Sequence, residues 1–372
     1  MRWFVVFYNF NRFNRIQSSR RLNLVMSGGG VKGIAYVGMY EAAEKKGYNW
    51  GNMAGVSAGA LAGAFKAAGF TAYEMWNAVG SFDFEGIQMS NKVEKVPVVS
   101  GYLRYMSRTG RSGPDSVREF LSYRGGLLES IVTFSKEGCL FDGDYLEEWV
   151  SKELARKGVR TFGDLRGGMA DKFNPRGYRM RMTGVDCNRA KIVVLPDDVE
   201  FYGMDPDKFE VAKAVRISTC VPFAFKPVEL KKQEGNITKV YNLVDGGVFD
   251  RFPYWLIDSS KNLTVGFKLS GGEKPKFFSV DTALNVLKSI ISAVQDIGIP
   301  KDVENNIKYI GEINTTQVHY LDFGLSQEDK EYLYNAGRQT AIHLFNKLES
   351  SRIGQRKGFI PLFASIFRQR WF

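Results

Sequence analysis

Histidine is almost missing from this chain: His319 and His343 are the only two among 372 residues. A metal centre built on imidazoles is therefore nearly excluded. Cysteine is as sparse, and Cys139, Cys187 and Cys220 are odd in number with no CxxC spacing. That pattern argues against a disulfide framework and a thiolate zinc site, and it fits a reducing compartment. No metal and no cofactor are expected. Long hydrophobic runs are lacking too, since none approaches the roughly 20 residues that span a bilayer. The N-terminal stretch WFVVFYNF is too short for a span and shows no small-residue cleavage site, so no clear signal peptide is read. The expectation is a cytoplasmic or peripheral membrane protein. An organelle presequence stays open because the leader is acid-free and Arg-bearing, although serine is sparse there.

Acidic residues are absent from the first forty positions, where Arg2, Arg12, Arg15, Arg20, Arg21 and Lys32 all precede Glu41. At the other end Arg352, Arg356, Lys357, Arg368 and Arg370 crowd the terminus, so much of the formal charge of +11 sits at the two ends. Such a chain is drawn to polyanions. No nucleic-acid recognition motif accompanies the basic residues, so no nucleic acid is expected as a partner. The leader (1–21) and the tail GFIPLFASIFRQRWF mix aromatics with arginine, a composition suited to an anionic membrane surface, although packing on the core accounts for them equally well. With 44% hydrophobic and 24% charged residues, the remainder reads as a folded globular chain.

The segment LNLVM (22–26) is a short apolar run that ends in Gly28, Gly29 and Gly30, as a buried strand entering a tight turn does. Residues 33–46 carry apolar positions at helical spacing and stop at Gly47. NMAGVS then reads as a second strand and AGALAGAFKAAG as a helix of small residues. Two strand–turn–helix units in succession imply a parallel sheet with helices packed on it. Residues 83–140 lack a clean period and read as a cap or insertion. Further elements follow: a helix over DGDYLEEWVSKELARKG, paired strands MRMTGVD and AKIVVLP around a turn at 187–189, a helix over FEVAKAVRISTC ended by Pro222, and a strand KVYNLVDGG. Amphipathic helices are expected over 281–297 and over 326–348, the latter capped by Ser326. The main domain is placed at 22–350, with 351–372 as a separate tail.

Three constellations carry chemistry. GVSAG (55–59) matches GxSxG, in which a serine sits on a sharp strand-to-helix turn with its hydroxyl turned away from the sheet. A small-residue helix start is the plainer account of the same letters. SGGGVKG (27–33) places three glycines between a strand and a helix, exposing consecutive amides near a helix N-terminus. It lacks the GxxxxGK[ST] of a phosphate loop, and an oxyanion site suits it better. Lys32 adds positive charge there, or is simply a solvated lysine at the helix start. LVDGG (243–247) puts an acid at a strand end beside two glycines, which is also a common turn. A nucleophile, a base and an oxyanion site are the roles a hydrolase needs.

GGGVKG, GVSAG and DGG, in that order, resemble the patatin-like phospholipase family. VRISTCVPFAFKPV (215–228) and TGVDCNRAKIVV resemble the segments such chains carry between the nucleophile and the acid. The resemblance covers about residues 22–250. It implies a three-layer α/β/α fold with a mainly parallel central sheet, a Ser57–Asp245 dyad, and an oxyanion hole from the amides of Gly28, Gly29 and Gly30. Phospholipid or acylglycerol esters are the substrates it implies. Two other readings stand beside it: a Ser–His–Asp esterase or thioesterase using Ser57, Asp245 and His319 or His343 in the chain order of an α/β-hydrolase, and a membrane-binding module that turns over little.

Overall fold

The computed structural model describes residues 20–83, 143–222, 224–260, 262–271, 307–318 and 323–357. The leader before Arg20, nearly all of the expected insertion, the helix expected over 281–297, His319 and the tail beyond Lys357 lie outside these residues. In chain order the elements are β1 (Arg21–Met26), a 3-10 turn (Gly30–Ile34) running into α1 (Ala35–Lys45), β2 (Asn49–Gly55), α2 (Ala58–Ala67), α3 (Ala72–Ser81) and α4 (Asp144–Ala155). They continue with β3 (Met180–Asp186), β4 (Lys191–Leu195), α5 (Val211–Ser218), β5 (Val228–Glu234), β6 (Ile237–Asp245), β7 (Thr264–Ser270), β8 (Tyr309–Asn314) and α6 (Gln327–Lys357).

The strands form one sheet in the order β5-β6-β3-β2-β1-β7-β8, with β4 also paired to β3. The run from β3 through β8 is parallel throughout, and the antiparallel pairings gather at the β3 end. This is the mixed α/β architecture expected, a mostly parallel sheet flanked by helices. Strand β1 shows why. Its side chains alternate, so Leu22, Leu24 and Met26 join the large core beneath the helices. Val25 joins a smaller cluster with Ala54, Phe252, Leu256, Ile257 and Ile307. A strand buried on both faces must be apolar at successive positions, as LNLVM largely is.

Helix α1 buries Ala35, Tyr36, Met39, Tyr40 and Ala43 at helical spacing. The Tyr36 hydroxyl donates to the Ser27 carbonyl at 2.8 Å, and Tyr40 reaches the Met26 sulfur at 3.1 Å, which fastens the helix to the end of β1. Ser326 caps α6 as expected: its hydroxyl accepts from the Asp329 amide at 3.1 Å, while the Asp329 carboxylate accepts from the Ser326 amide at 3.0 Å. The helix does not stop near 348 but runs unbroken to Lys357, across the boundary expected at 350. Three strands went unread in the sequence: β5, β7 and β8. β5 alternates buried Val228 and Leu230 with exposed charge, and its lysines and glutamates masked an edge strand.

Helices α1 and α6 approach as closely as two backbones can. A Cβ built on Gly337 would stand 1.8 Å from the Ala35 carbonyl oxygen, and one on Gly38 would stand 1.9 Å from that of Tyr334. Only glycine fits at either position. Gly337→Val is expected to push the helices apart and lower the free energy of unfolding by roughly 1–3 kcal/mol or more, measured by urea titration.

Candidate active site

Ser57 is the N-cap of α2, with φ 53° and ψ −120°. Among the described residues only Ser57 and Ala190 combine a side chain with positive φ. Holding a non-glycine residue there costs about 1–3 kcal/mol, so the surroundings must supply the restraint. The Ser57 amide donates to the Ser218 hydroxyl at 3.0 Å, and that hydroxyl donates in turn to the Thr183 carbonyl at 2.7 Å. On the far side, Ala60 and Leu61 both donate to the Ser57 carbonyl, at 2.9 and 3.1 Å. The flanking glycine of the motif is steric in origin, because a Cβ on Gly59 would lie 2.6 Å from the Met26 carbonyl oxygen. The Ser57 hydroxyl makes no capping bond to its own helix. It is free to turn elsewhere.

It turns to Asp245. This residue ends β6, is buried to within 3% of its surface, accepts the Gly247 amide at 2.7 Å, and lies beside the Ser57 hydroxyl, which favours its ionised form. Its own amide donates to the Cys220 carbonyl at 2.8 Å. Burial pushes the carboxyl up to about 7, against the Gly247 and Ser57 hydrogen bonds and the nearby Arg251 charge, which all favour the ionised form. A carboxylate poised near neutrality beside a hydroxyl can accept that hydroxyl's proton.

The glycine loop closes the third side, since a Cβ on Gly28 would lie 3.2 Å from that of Ser57. Its three expected donors are not equivalent. The Gly28 amide already donates to the Arg251 carbonyl at 3.2 Å, so among the three expected donors it is committed to the fold. Gly29 is extended, with φ 166°, and Gly30 is left-handed, with φ 57°. They lead into the 3-10 turn, whose first amides have no partner within the turn itself. Lys32 is not a solvated lysine. It is buried, and its ammonium donates to the Gly271 carbonyl at 2.8 Å, tying the loop to the end of β7.

The structure thus brings together Ser57, Asp245 and the glycine loop, which lie far apart in the chain. It does not bring His343 to them, since His343 is exposed on α6 and the Asp245 carboxylate is held by the Gly247 amide beside Ser57. Two residues escaped the sequence reading. Ser218 lies in a segment that had been singled out, but nothing in its spacing marks it as the acceptor for the Ser57 amide. Arg251 carries no local signal at all. Two clefts elsewhere, of about 310 and 500 Å³, have neither Ser57 nor Asp245 in their walls. Among the described residues no group of three or more His, Cys, Asp or Glu could hold a metal ion.

Ser218→Ala leaves the buried Ser57 amide without an acceptor, which costs about 1–3 kcal/mol. A matching fall in the free energy of unfolding is expected by urea titration, and an unchanged value would mean that the elbow is held by other contacts.

The chain is similar to several known proteins. The family model described as patatin-like phospholipase matches residues 24–257. The uncharacterized protein YqhO of Bacillus subtilis is 32% identical over 328 residues, which cover 86% of this chain and 97% of that protein. The lysophospholipase NTE1 of Scheffersomyces stipitis is 26% identical over 212 residues, covering 47% of this chain and 14% of that much longer protein. Among solved structures, VipD from Legionella pneumophila superposes with a TM-score of 0.47 at 18% identity, over 88% of this chain and 67% of that one. The ExoU–SpcU complex from Pseudomonas aeruginosa gives 0.39 at 20% identity, over 88% and 52%. The match to the family model spans more than half of the chain, with Ser57 and Asp245 both inside it, and the chain belongs to the patatin-like phospholipase family.

Proposed function

We propose that the protein is a serine lipid acyl hydrolase that cleaves carboxylic esters of phospholipids, lysophospholipids or acylglycerols through a Ser57–Asp245 dyad. The observation that carries this reading is that the strained Ser57 and the buried Asp245 carboxylate, from segments far apart in the chain, stand side by side so that the hydroxyl favours the ionised carboxyl. The family and its lysophospholipase relative supply the substrate class.

Asp245 takes the proton as the Ser57 oxygen attacks the ester carbonyl. The negative charge that develops on the carbonyl oxygen falls to the amides of Gly29 and Gly30, with the Gly28 amide holding the loop in place. Asp245 returns its proton to the departing alcohol, which leaves an acyl group on Ser57. Water, deprotonated by the same carboxylate, then attacks that ester and releases the fatty acid. Each proton lent is given back, so the cycle regenerates both residues. Lys32, with one of its three N–H donors on the Gly271 carbonyl, adds positive charge beside the loop and assists the bound anion. The protein acts on lipid at a membrane surface, with residues 22–350 as the hydrolase unit. Among the described residues no helix is long and apolar enough to cross a membrane.

Incubating mixed liposomes with wild type and with Ser57→Ala, then analysing the lipids by mass spectrometry, tests the proposal. Fatty acid release should fall on the order of 10⁴-fold in the variant, and release undiminished by the substitution would end it. The pH dependence follows from Asp245. Its carboxyl must be ionised to accept the proton and titrates at about 7. On a soluble ester kcat/KM should rise with pH through about 7 and level off above it. A profile flat from pH 5 to 8 would remove Asp245 from that role, with those limits set roughly by where an elevated carboxyl titrates.

A further inference from the structure

The pairing of β6 with β3 has an outcome besides the dyad. Leu243 pairs with Asp186, the last residue of β3, so residues 237–242 of β6 run on beyond the end of that strand with β5 alongside. At about 3.4 Å per residue the hairpin overhangs by roughly 20 Å. It does so at the carboxyl ends of the parallel strands. Ser57 lies just past the end of β2, and Gly28 past the end of β1, so both share that edge.

What the overhang displays is unusual for an edge exposed to water. Ile237, at its tip, is 65% exposed, and Val240 is also exposed. Three residues apart on one strand, Ile237 and Val240 face opposite ways, so both faces of the hairpin are apolar near its tip. Ile192, at the start of β4, and Phe249, four residues past Asp245 and 69% exposed, are further exposed hydrophobics toward the same edge of the sheet. Among the described residues these four make up most of the exposed large hydrophobics. Lysines stand between them: Lys191 and Lys231 are exposed, and Lys232 lies directly opposite Lys239 across the hairpin. Like charges in facing positions destabilise a β-pair. Here a single carboxylate, Glu234, serves both, at 3.1 Å from Lys232 and 2.5 Å from Lys239. One carboxylate between two facing lysines leaves this pair net positive, Lys232 being set over the Phe201 ring at 4.0 Å and Lys239 turned to solvent.

We propose that the outer half of the β5–β6 hairpin, together with Phe249, is the surface on which the protein docks to an anionic lipid bilayer. Apolar tips that enter the acyl boundary, among lysines whose stems lie along it and whose ammonium groups meet the headgroups, are what such an interface requires. Docking there turns the edge that carries Ser57 toward the membrane. The inference deepens the lipid hydrolase reading and rests on it for the nature of the partner. It assigns the contact to a folded element in the middle of the chain and requires neither basic terminus.

The test is sedimentation of the full chain with vesicles of phosphatidylcholine alone and of phosphatidylcholine with added phosphatidylserine. Wild type should bind the anionic vesicles more tightly. The double substitution Lys231→Glu with Ile237→Asn should weaken that binding by on the order of tenfold, while turnover of a soluble short-chain ester stays at the wild-type level. The ester readout also reports that the variant is folded. A second variant, Ile237→Trp, adds an interfacial anchor and should tighten binding. Unchanged binding in both variants, or wild-type binding indifferent to phosphatidylserine, overturns the proposal. Failure of the hydrolase reading looks different: no ester is cleaved by wild type, yet the sedimentation still responds to the substitutions.

Discussion

The antiparallel register of β6 against β3 is the constraint on which the rest depends. Because Asp245 pairs with Gly184 near the end of β3, its carboxylate arrives at the edge where β2 delivers Ser57. A slip of one residue would turn every side chain of β6 to the other face of the sheet and carry the carboxylate away from the hydroxyl. The register is secured from both sides. Leu243 is wholly buried and Val244 nearly so, while the Asp245 amide is held by the Cys220 carbonyl and the Asn242 amide by the Asn188 side chain at 2.7 Å.

Two costs meet at this edge, and the same neighbours bear both. Ser57 is held at a backbone conformation that a side chain disfavours, and Asp245 is kept from water that would stabilise its charge. Ser218 answers the first by accepting the Ser57 amide, and it is anchored by Thr183 on β3, one residue from the partner of Asp245. The second is answered in part by the Gly247 amide and the Arg251 charge, which stop the carboxyl from rising further. Arg251 also fixes the glycine loop through its carbonyl. Ser57, Asp245 and the glycine loop are thus braced against one another, so that none can shift without disturbing the next.

Much of this was legible in the residues themselves. The strand–turn–helix units around GGG and GVSAG, the hairpin of β3 and β4, and the capped start of α6 all rest on signals spanning a few neighbours: alternation, helical spacing, a glycine stop, a serine at an N-cap. Where β5 was missed, the cause was local as well, since half of an edge strand faces solvent and reads as polar. The end of α6 was misplaced because its last turns continue past the apolar positions that made the helix visible.

Taken alone, the order of residues nominated the side chains that could do chemistry: one serine in a GxSxG motif, one acid before two glycines, one run of amides at a helix start. It could not determine how they are used. That the Gly28 amide is committed to Arg251, that Lys32 reaches Gly271, and that Ser218 holds the elbow are matters of contact between segments dozens to hundreds of positions apart. The basicity of Asp245 is likewise a property of the shell that excludes water from it. Local propensity acts over a few bonds and is written in the chain. Desolvation and long-range hydrogen bonds exist only once the sheet has brought distant residues together, and so the tertiary structure alone decided them.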